Sequence, residues 1–297
     1  MDNLENSAAI ATPISKVWQR VRYYWSLIKV MQTALLVMTG VAGFLTFKCP
    51  ITNLATLTAV FLTLAGSISG TTILNMWYDR DIDALMNRTR KRPLAMQNMH
   101  HREALLVGLA LVGVSVAAAF AMNRLYGAII FAGVLFDFLV YTIWLKRHSC
   151  YSIIWGGLAG AMPILAGRAL ALGYIDWVGL MLALGIVLWI PIHILTYSMK
   201  YYDDYQAAGI PTFASVYGFA TTRKIIAVSS VLASLTMIAA AWGIGTNWGF
   251  LRLMVTLSVI LLALAAWMVF KPGEKINYGL FKYASFYMAS SMVLMAI

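Results

Sequence analysis

The sequence contains little charge, and most of the charge it has is positive. Only 11% of its 297 residues are Asp, Glu, Lys or Arg, whereas 61% are hydrophobic. A soluble domain carries about 25% charged residues, so this composition predicts a membrane protein with several spans. Lys and Arg outnumber Asp and Glu by 22 to 11. In a membrane protein such an excess is typical of loops that fix orientation, and we therefore exclude nucleic-acid binding.

Cysteine is almost absent, and a targeting signal is not apparent. The two cysteines, Cys49 and Cys150, have no CxxC partner and no neighbouring histidine cluster, which excludes a disulfide framework and a zinc site. Residues 1–29 are polar, then basic and aromatic, and lack the short apolar core and small-residue cleavage site of a signal peptide. We expect them to form a cytoplasmic tail, and residues 1–297 to form a single membrane domain.

The long apolar runs predict an all-α membrane protein. A spanning helix needs about 20 mainly apolar residues, and the sequence contains nine candidate segments of this kind. They cover residues 30–47, 54–77, 104–122, 125–145, 151–172, 177–199, 225–244, 250–270 and 279–297. The sequence therefore predicts a bundle of nine transmembrane helices.

The basic residues divide unequally between the two sides of these nine spans. If the spans alternate in direction, 18 of the 22 Lys and Arg residues lie on the side of the N-terminus and four lie on the other. Basic loops stay in the cytoplasm. This predicts a multi-pass protein of the plasma membrane, with a cytoplasmic N-terminus and a C-terminus on the opposite side.

The acidic residues concentrate in two segments on the predicted cytoplasmic side. The first, NMWYDRDIDALMNRTRKRPLA at 75–95, follows the second span and places Asn75, Asp79 and Asp83 four residues apart. If the helix continues, their side chains share one face. The second segment follows the sixth span, where Lys200 stands four residues before Asp204. The two segments resemble degenerate copies of each other, four spans apart.

Carboxylates and bases collected at one membrane face indicate a site for a metal and a phosphate. Magnesium takes oxygen ligands and shares its coordination shell with substrate phosphates. Basic side chains nearby can donate to phosphate oxygens; they are Arg88, Arg90, Lys91, Arg92, Lys146, Arg147 and Lys200. Together with an apolar bundle, these residues predict a lipid diphosphate as substrate. The alternative is an ordinary solvated loop whose charges pair with one another.

The first acidic segment resembles a motif of the UbiA superfamily of intramembrane prenyltransferases. Within it, the segment is similar to the protoheme IX farnesyltransferase (haem O synthase) family, whose pattern N-x-x-x-D-R-D-I-D-A-x-M-x-R-T-R-x-R-P-L is matched at every fixed position. The stretches YTIWLKR at 141–147, GGLAGAMP at 156–163 and KYYDDYQAAGIP at 200–211 agree with it. The resemblance implies a nine-helix bundle whose active cavity opens at the cytoplasmic face.

The resemblance also implies the reaction and the roles of individual residues. Magnesium and basic side chains stabilise the diphosphate that leaves an allylic prenyl group, and a vinyl group of haem b accepts a farnesyl or longer prenyl cation. We expect the metal ligands to be Asp79, Asp83, Asp203 and Asp204. Asn75 serves as a ligand or diphosphate donor, and the catalytic set includes Lys200. We expect diphosphate contacts from Arg88, Arg92, Lys146, Arg147 and Lys200.

His193 is the residue predicted to distinguish a haem enzyme from its relatives. It precedes Lys200 by seven residues, so it lies two helical turns deeper on the same face, and a neutral imidazole is a common ligand of haem iron. The bland alternative is a buried histidine that donates to a nearby carbonyl or tyrosine. Asp137, within the fourth span, is an intramembrane carboxylate that we leave outside the predicted site.

Two other functions remain open on the sequence alone. A sister prenyltransferase would act on an aromatic quinone precursor, on chlorophyllide or on a glyceryl lipid, and such relatives usually carry D-x-x-D-D where this chain reads KYYDD. A cation transporter would place charged residues near the membrane midplane on broken helices, whereas these aspartates lie at one face.

Overall fold

The computed structural model of the protein describes residues 13–47 and 53–297. Throughout these residues the chain forms helices and no strand, which confirms the predicted all-α class. The elements are α1 Pro13–Leu27, α2 Val30–Leu45, α3 Leu54–Tyr78, α4 Arg80–Leu85, α5 His101–Met122, α6 Arg124–Val134, a π-helix Leu135–Leu145, α7 Ser152–Leu172, α8 Trp177–Lys200, α9 Tyr202–Ala207, α10 Phe213–Ile244, α11 Trp248–Phe270 and α12 Glu274–Ala296.

The long helices identify a multi-pass membrane protein. In the part of the chain that the structure describes, seven helices are long and apolar enough to cross a membrane. An eighth is added if α1 and α2, which meet at a bend of 55°, count as one span. Helix α12 falls outside this set. Each of the nine predicted segments is helical where it is described, but nine crossings stays a prediction.

The helices pack as two connected groups. In the first group α3 packs on α5, and α6 packs on α7; in the second α8 packs on α10 and α12, and α10 packs on α11. Helix α7 joins them because it contacts α2, α6 and α8. The apolar core of the second group is continuous along α8, α10, α11 and α12. The two acidic segments lie at the ends of α3 and α8, one in each group.

Glycines allow α2 and α7 to approach at backbone distance. A Cβ atom on Gly167 would overlap the carbonyl oxygen of Gly40, and a Cβ atom on Gly43 would overlap that of Ile164. Within a membrane, helices associate through close packing rather than through the hydrophobic effect, and small residues permit it. This contact fixes the position of α7 between the two groups.

We expect Gly167→Ala to lower the stability of the folded protein by about 1–3 kcal/mol, because the added methyl group forces α2 and α7 apart. Thermal unfolding in detergent measures the effect. The matched control is Gly113→Ala in α5, where an added Cβ meets nothing within 4 Å; there the higher helix propensity of alanine is expected to stabilise slightly. Equal melting temperatures for the two variants would contradict the close approach.

A buried ion pair ties α7 to α8 at the ends opposite the acidic segments. Arg168 donates from Nε and Nη2 to Asp176 at 2.8 and 2.7 Å, and from Nη1 to the hydroxyl of Thr46 at 2.8 Å. Burial raises the pKa of Asp176, but the hydrogen bonds from Arg168 outweigh it, and the net pKa lies below its usual range. The Arg168 guanidinium is thus paired with Asp176, at the end of the bundle opposite the acidic segments.

Candidate active site

The first acidic segment keeps its helical spacing across a helix junction. Helix α3 ends at Tyr78 and α4 begins at Arg80, so Asp79 lies between them. The Asp79 amide donates to the Asn75 carbonyl at 2.9 Å, and the Asp83 amide donates to the Asp79 carbonyl at 2.8 Å. Asn75, Asp79 and Asp83 therefore lie one turn apart, as the spacing predicts. Both aspartates are buried, at 4% and 5% exposure.

Each buried aspartate of this segment is paired with a separate base. The Lys146 ammonium donates to Asp79 Oδ2 in a close ion pair, and Arg92 Nη1 donates to Asp83 Oδ2 at 2.6 Å. Burial disfavours the Lys146 ammonium, but Tyr141 and the Asp79 carboxylate outweigh that effect and raise the pKa of Lys146 above its usual range. Lys146 therefore stays charged, and it can contribute positive charge to an anion at this position.

Arg147 contacts the carboxylate of Asp81 with both of its terminal nitrogens. No other guanidinium makes such a two-point contact with a described residue of this segment. Arg147 Nη1 and Nη2 donate to Oδ2 and Oδ1 of Asp81, each at 2.7 Å, and Nη2 lies 4.0 Å from Asp79 Oδ1. The hydrogen bonds from Arg147 lower the pKa of Asp81. Asp81, which the sequence places off the shared face, thus holds Arg147 beside Asp79.

The second acidic segment contacts the first through Asp204. This buried carboxylate accepts the backbone amides of Asn87 at 3.0 Å and of Arg88 at 3.1 Å. Apolar contacts between Ile82 and Ile210 support the same junction. Asp204 therefore joins the two helix groups at the predicted site. Asp203, its neighbour in the sequence, is exposed.

Four of the five predicted phosphate-binding bases lie over aromatic rings, and two of these, Arg88 and Lys200, form no ion pair with a carboxylate in the described part of the chain. The Arg88 guanidinium lies 5.2 Å from the ring centre of Tyr197 and 5.5 Å from that of Tyr201. The Lys200 ammonium lies 3.4 Å above the ring of Tyr278. Aromatic faces attract cations without neutralising them. Arg88 and Lys200 therefore keep their charge available, in contrast to the ion-paired Lys146 and Arg92.

His193 lies in an aromatic stack between α8 and α12. Its ring stacks on Trp189 at a centroid distance of 5.0 Å and on Phe281 at 4.4 Å, and Nδ1 lies 3.1 Å from the Ser285 hydroxyl oxygen. That hydroxyl also donates to the carbonyl of Phe281 at 3.4 Å. Nδ1 of His193 is therefore engaged with Ser285, and the tautomer of the ring sets which of the two atoms donates.

The structure adds two side chains that the sequence analysis left outside the site. Asp137, in the π-helix, accepts a hydrogen bond from Asn75 at 2.7 Å. Lys29 joins α1 to α2 in a left-handed backbone conformation with φ of 45°, and it interacts electrostatically with Asp79 and Asp83. A non-glycine residue in that conformation is uncommon. Lys29 lies far from these two aspartates in the sequence, and only the fold brings it to them.

The carboxylates suit a hard cation that also binds a phosphate. Among the described residues, no three Asp, Glu, His or Cys side chains lie together as a closed metal cage. Within the same residues, Asp79 Oδ1 is buried and accepts no hydrogen bond. Mg²⁺ binds through one or two carboxylates and completes its shell with phosphate oxygens and water. Asp79, with its free oxygen, and Asp83, one helical turn away, fit this mode of binding.

Comparison with known proteins defines the class. The model of the UbiA prenyltransferase family matches residues 35–288, and the chain belongs to that family. It is 38% identical to a protoheme IX farnesyltransferase of Archaeoglobus fulgidus over 78% of this chain and 81% of the relative. It is 36% identical to one of Thermofilum pendens over 91% and 96%, and 37% identical to one of Aeropyrum pernix over 90% and 88%.

Solved structures share the fold. A structure of a digeranylgeranylglyceryl phosphate synthase covers 94% of this chain and 98% of its own with a TM-score of 0.78 at 16% identity. A UbiA homologue from Archaeoglobus fulgidus, bound to GPP and Mg²⁺, covers 93% and 100% with a TM-score of 0.68 at 16% identity. The all-helical architecture is therefore shared with these solved structures.

Proposed function

We propose that this protein transfers a farnesyl or longer prenyl group from a prenyl diphosphate to a vinyl group of haem b, with Mg²⁺ as cofactor. The observation that carries the proposal is the contact between the two acidic segments, in which Asp204 holds the backbone of Asn87 and Arg88. This contact gathers buried carboxylates and bases at one end of an apolar bundle. Sequence identity of 36–38% to protoheme IX farnesyltransferases over most of the chain supports haem b as acceptor.

The charged residues divide between the metal and the diphosphate. Asp79, Asp83 and Asp204 would hold Mg²⁺, with Asp203 at the exposed edge and Asn75 as a further oxygen donor or a diphosphate donor. Mg²⁺, when bound, neutralises charge that develops on the leaving diphosphate. The bases that would bind the diphosphate oxygens are Arg88, Arg92, Lys146, Arg147 and Lys200. Arg88 and Lys200, which rest on aromatic rings, bind without first breaking an ion pair.

The reaction needs no carboxylate base in its bond-forming step. The bond between C1 of the prenyl group and oxygen breaks, and its electron pair leaves with the diphosphate. The π electrons of the haem vinyl group form the new bond to C1. Water then adds to the resulting cation and releases a proton, which gives a hydroxyalkyl side chain. The apolar bundle keeps water away from the prenyl cation before the new bond forms.

The proposal is tested with purified protein in lipid nanodiscs supplied with haem b, Mg²⁺ and either farnesyl or geranylgeranyl diphosphate. We expect a haem whose mass has increased by the prenyl group and one hydroxyl group, and the diphosphate that reacts faster identifies the prenyl chain length. Prenylation of a quinone precursor, a chlorophyllide or a glyceryl lipid, with haem b unchanged, would replace the proposal with a sister activity.

We further propose nine membrane crossings, with the site at the cytoplasmic face of the plasma membrane. Charge asymmetry supports this, since 18 of 22 basic residues lie on the side of the N-terminus when nine spans alternate. Reporters that are active only in the cytoplasm, fused to each terminus, are expected to be active at the N-terminus alone. Activity at both ends would require an even number of crossings, as when α12 lies outside the membrane core.

A further inference from the structure

The fourth predicted span contains an unusual helix beside the acidic site. Helix α6 continues without a break into the π-helix Leu135–Leu145, and its register extends one residue further, where the Lys146 amide donates to the Tyr141 carbonyl five residues earlier at 2.8 Å. A π-helix this long is rare, and π segments often occur at functional sites. The segment carries Asp137 and Thr142 toward α3 and ends at the bases Lys146 and Arg147.

Asp137 and Thr142 form hydrogen bonds with the nitrogen and the oxygen of the Asn75 side-chain amide. Asn75 Nδ2 donates to Asp137 Oδ2 at 2.7 Å, and the Thr142 hydroxyl donates to Asn75 Oδ1 at 2.9 Å. Thr142 is completely buried. The Asn75 amide nitrogen therefore points to Asp137, and the amide oxygen to Thr142, one helical turn before Asp79.

The π-helix permits Asp137 and Thr142 to form hydrogen bonds with the same Asn75 side chain. In an α-helix, side chains five residues apart point about 140° away from each other. Hydrogen bonds from residue i to residue i+5 widen each turn, so that Asp137 and Thr142 lie on one face. An α-helical continuation of α6 would leave only one of them beside Asn75.

A carboxylate inside a membrane span is costly, and such residues mark functional sites. Asp137 also interacts electrostatically with Lys29, Lys146 and Asp79, so it belongs to the charge network of the site. The side-chain amide of asparagine carries an N–H₂ group and an oxygen of nearly the same shape. A partner that accepts at one end and a partner that donates at the other select one of its two orientations.

We propose that Asp137 and Thr142 are positioning residues that fix the orientation of the Asn75 amide, so that its oxygen contributes to the site for Mg²⁺ and diphosphate. The proposal rests on the proposed function. Oδ1 of Asn75 uses one lone pair for Thr142 and keeps the other. If the amide turned over, its N–H₂ group would take the place of that oxygen and would repel a cation.

A double-mutant cycle tests the proposal. Asp137→Leu removes the acceptor at similar volume, Asp137→Asn keeps an acceptor oxygen, and each is combined with Asn75→Ala. We expect Asp137→Leu to lower kcat about tenfold, and Asp137→Asn to restore most of the loss. In the Asn75→Ala background Asp137→Leu is expected to have no further effect, because a residue that acts only through Asn75 has nothing left to orient.

Binding of a non-hydrolysable farnesyl thiolodiphosphate, measured by calorimetry with and without Mg²⁺, gives a readout independent of turnover. Asp137→Leu is expected to weaken only the Mg²⁺-dependent binding. Thr142→Val, which removes a hydroxyl at equal volume, is expected to act in the same direction, and it keeps the test available if Asp137→Leu does not fold. The matched control is Thr63→Val, which removes a buried 2.8 Å hydrogen bond to Tyr126 between α3 and α6; it is expected to change stability but not kcat.

The outcomes separate the two proposals. Additive effects of Asp137→Leu and Asn75→Ala, or equal losses with and without Mg²⁺, would overturn the positioning role. Full turnover in Asn75→Ala alone would instead remove Asn75 from the site and contradict the proposed function at that residue. Loss of kcat in Asn75→Ala with normal kcat in Asp137→Leu and Thr142→Val would leave the proposed function intact and overturn the positioning role.

Discussion

Asp79→Asn is expected to reduce prenyl transfer by about a thousandfold, the size of effect seen when one electrostatic contact to a transition state is removed. Asp79 is the buried carboxylate that pairs with Lys146 and still has one oxygen free of hydrogen bonds among the described residues. Its loss removes an oxygen donor for Mg²⁺ and leaves the Lys146 ammonium without its partner. Initial rates at saturating farnesyl diphosphate and Mg²⁺ measure the effect.

The control for this variant is Glu274→Gln, which removes an exposed carboxylate at the start of α12 and is expected to leave the rate unchanged. Near-normal transfer by Asp79→Asn at saturating Mg²⁺ would contradict the assignment.

For the second segment, Asp204→Asn is a sharper test than Asp204→Ala. Asparagine keeps one oxygen for one of the amides of Asn87 and Arg88 and sets its N–H₂ group against the other, so part of the junction is kept while the carboxylate charge is lost. We expect a comparable loss of rate.

His193→Ala is expected to abolish haem prenylation, with a loss of at least about a hundredfold, while binding of the prenyl diphosphate survives. His193 lies seven residues before Lys200, about 10 Å deeper along α8. Because Nδ1 is hydrogen-bonded to Ser285, Nε2 is the nitrogen left for binding iron. A porphyrin bound there would have its edge within reach of a prenyl group whose diphosphate is bound at the end of the bundle.

The absorption spectrum of haem b bound to the purified protein measures this role directly. We expect the wild-type spectrum to indicate nitrogen ligation, and the spectrum of His193→Ala to differ. Ser285→Ala, which removes the hydrogen bond to Nδ1 and leaves the imidazole, is expected to weaken haem binding by about tenfold without changing the ligand. An unchanged spectrum together with unchanged haem transfer in His193→Ala would exclude the ligand role, and leave the aromatic stack with Trp189 and Phe281 as the function of this side chain.

Much of the architecture could be predicted from the sequence because it depends on local properties. The predicted segment 54–77 became α3, Leu54–Tyr78, and 177–199 became α8, Trp177–Lys200. A run of about 20 apolar residues forms a helix in a membrane because every backbone amide must find its partner within the segment. The spacing of Asn75, Asp79 and Asp83 likewise held across the junction of α3 and α4, since backbone hydrogen bonds continue through it.

The partners of the site residues could not be read from their spacing. Asp204 binds backbone amides more than 100 residues earlier in the chain, and such a contact depends on how α8 packs relative to α3. The sequence predicted carboxylates facing a shared metal, whereas the structure pairs Asp79 with Lys146 and Asp83 with Arg92. Close packing brings these two carboxylates to opposite charges, because an unpaired charge in a low-dielectric interior is costly.

The sequence by itself determined the helical class, the segments long enough to cross a membrane and the two acidic segments with their bases, because these follow from hydropathy and from helical period. Only the tertiary structure decided which side chains meet. It brought Lys29 to the aspartates through a left-handed turn, and it brought Asp137 to Asn75 through a π-helix whose wider turn has no signature in the sequence pattern. Both contacts depend on helix packing between distant segments, where a shift of one residue in register would change the neighbours of every polar side chain.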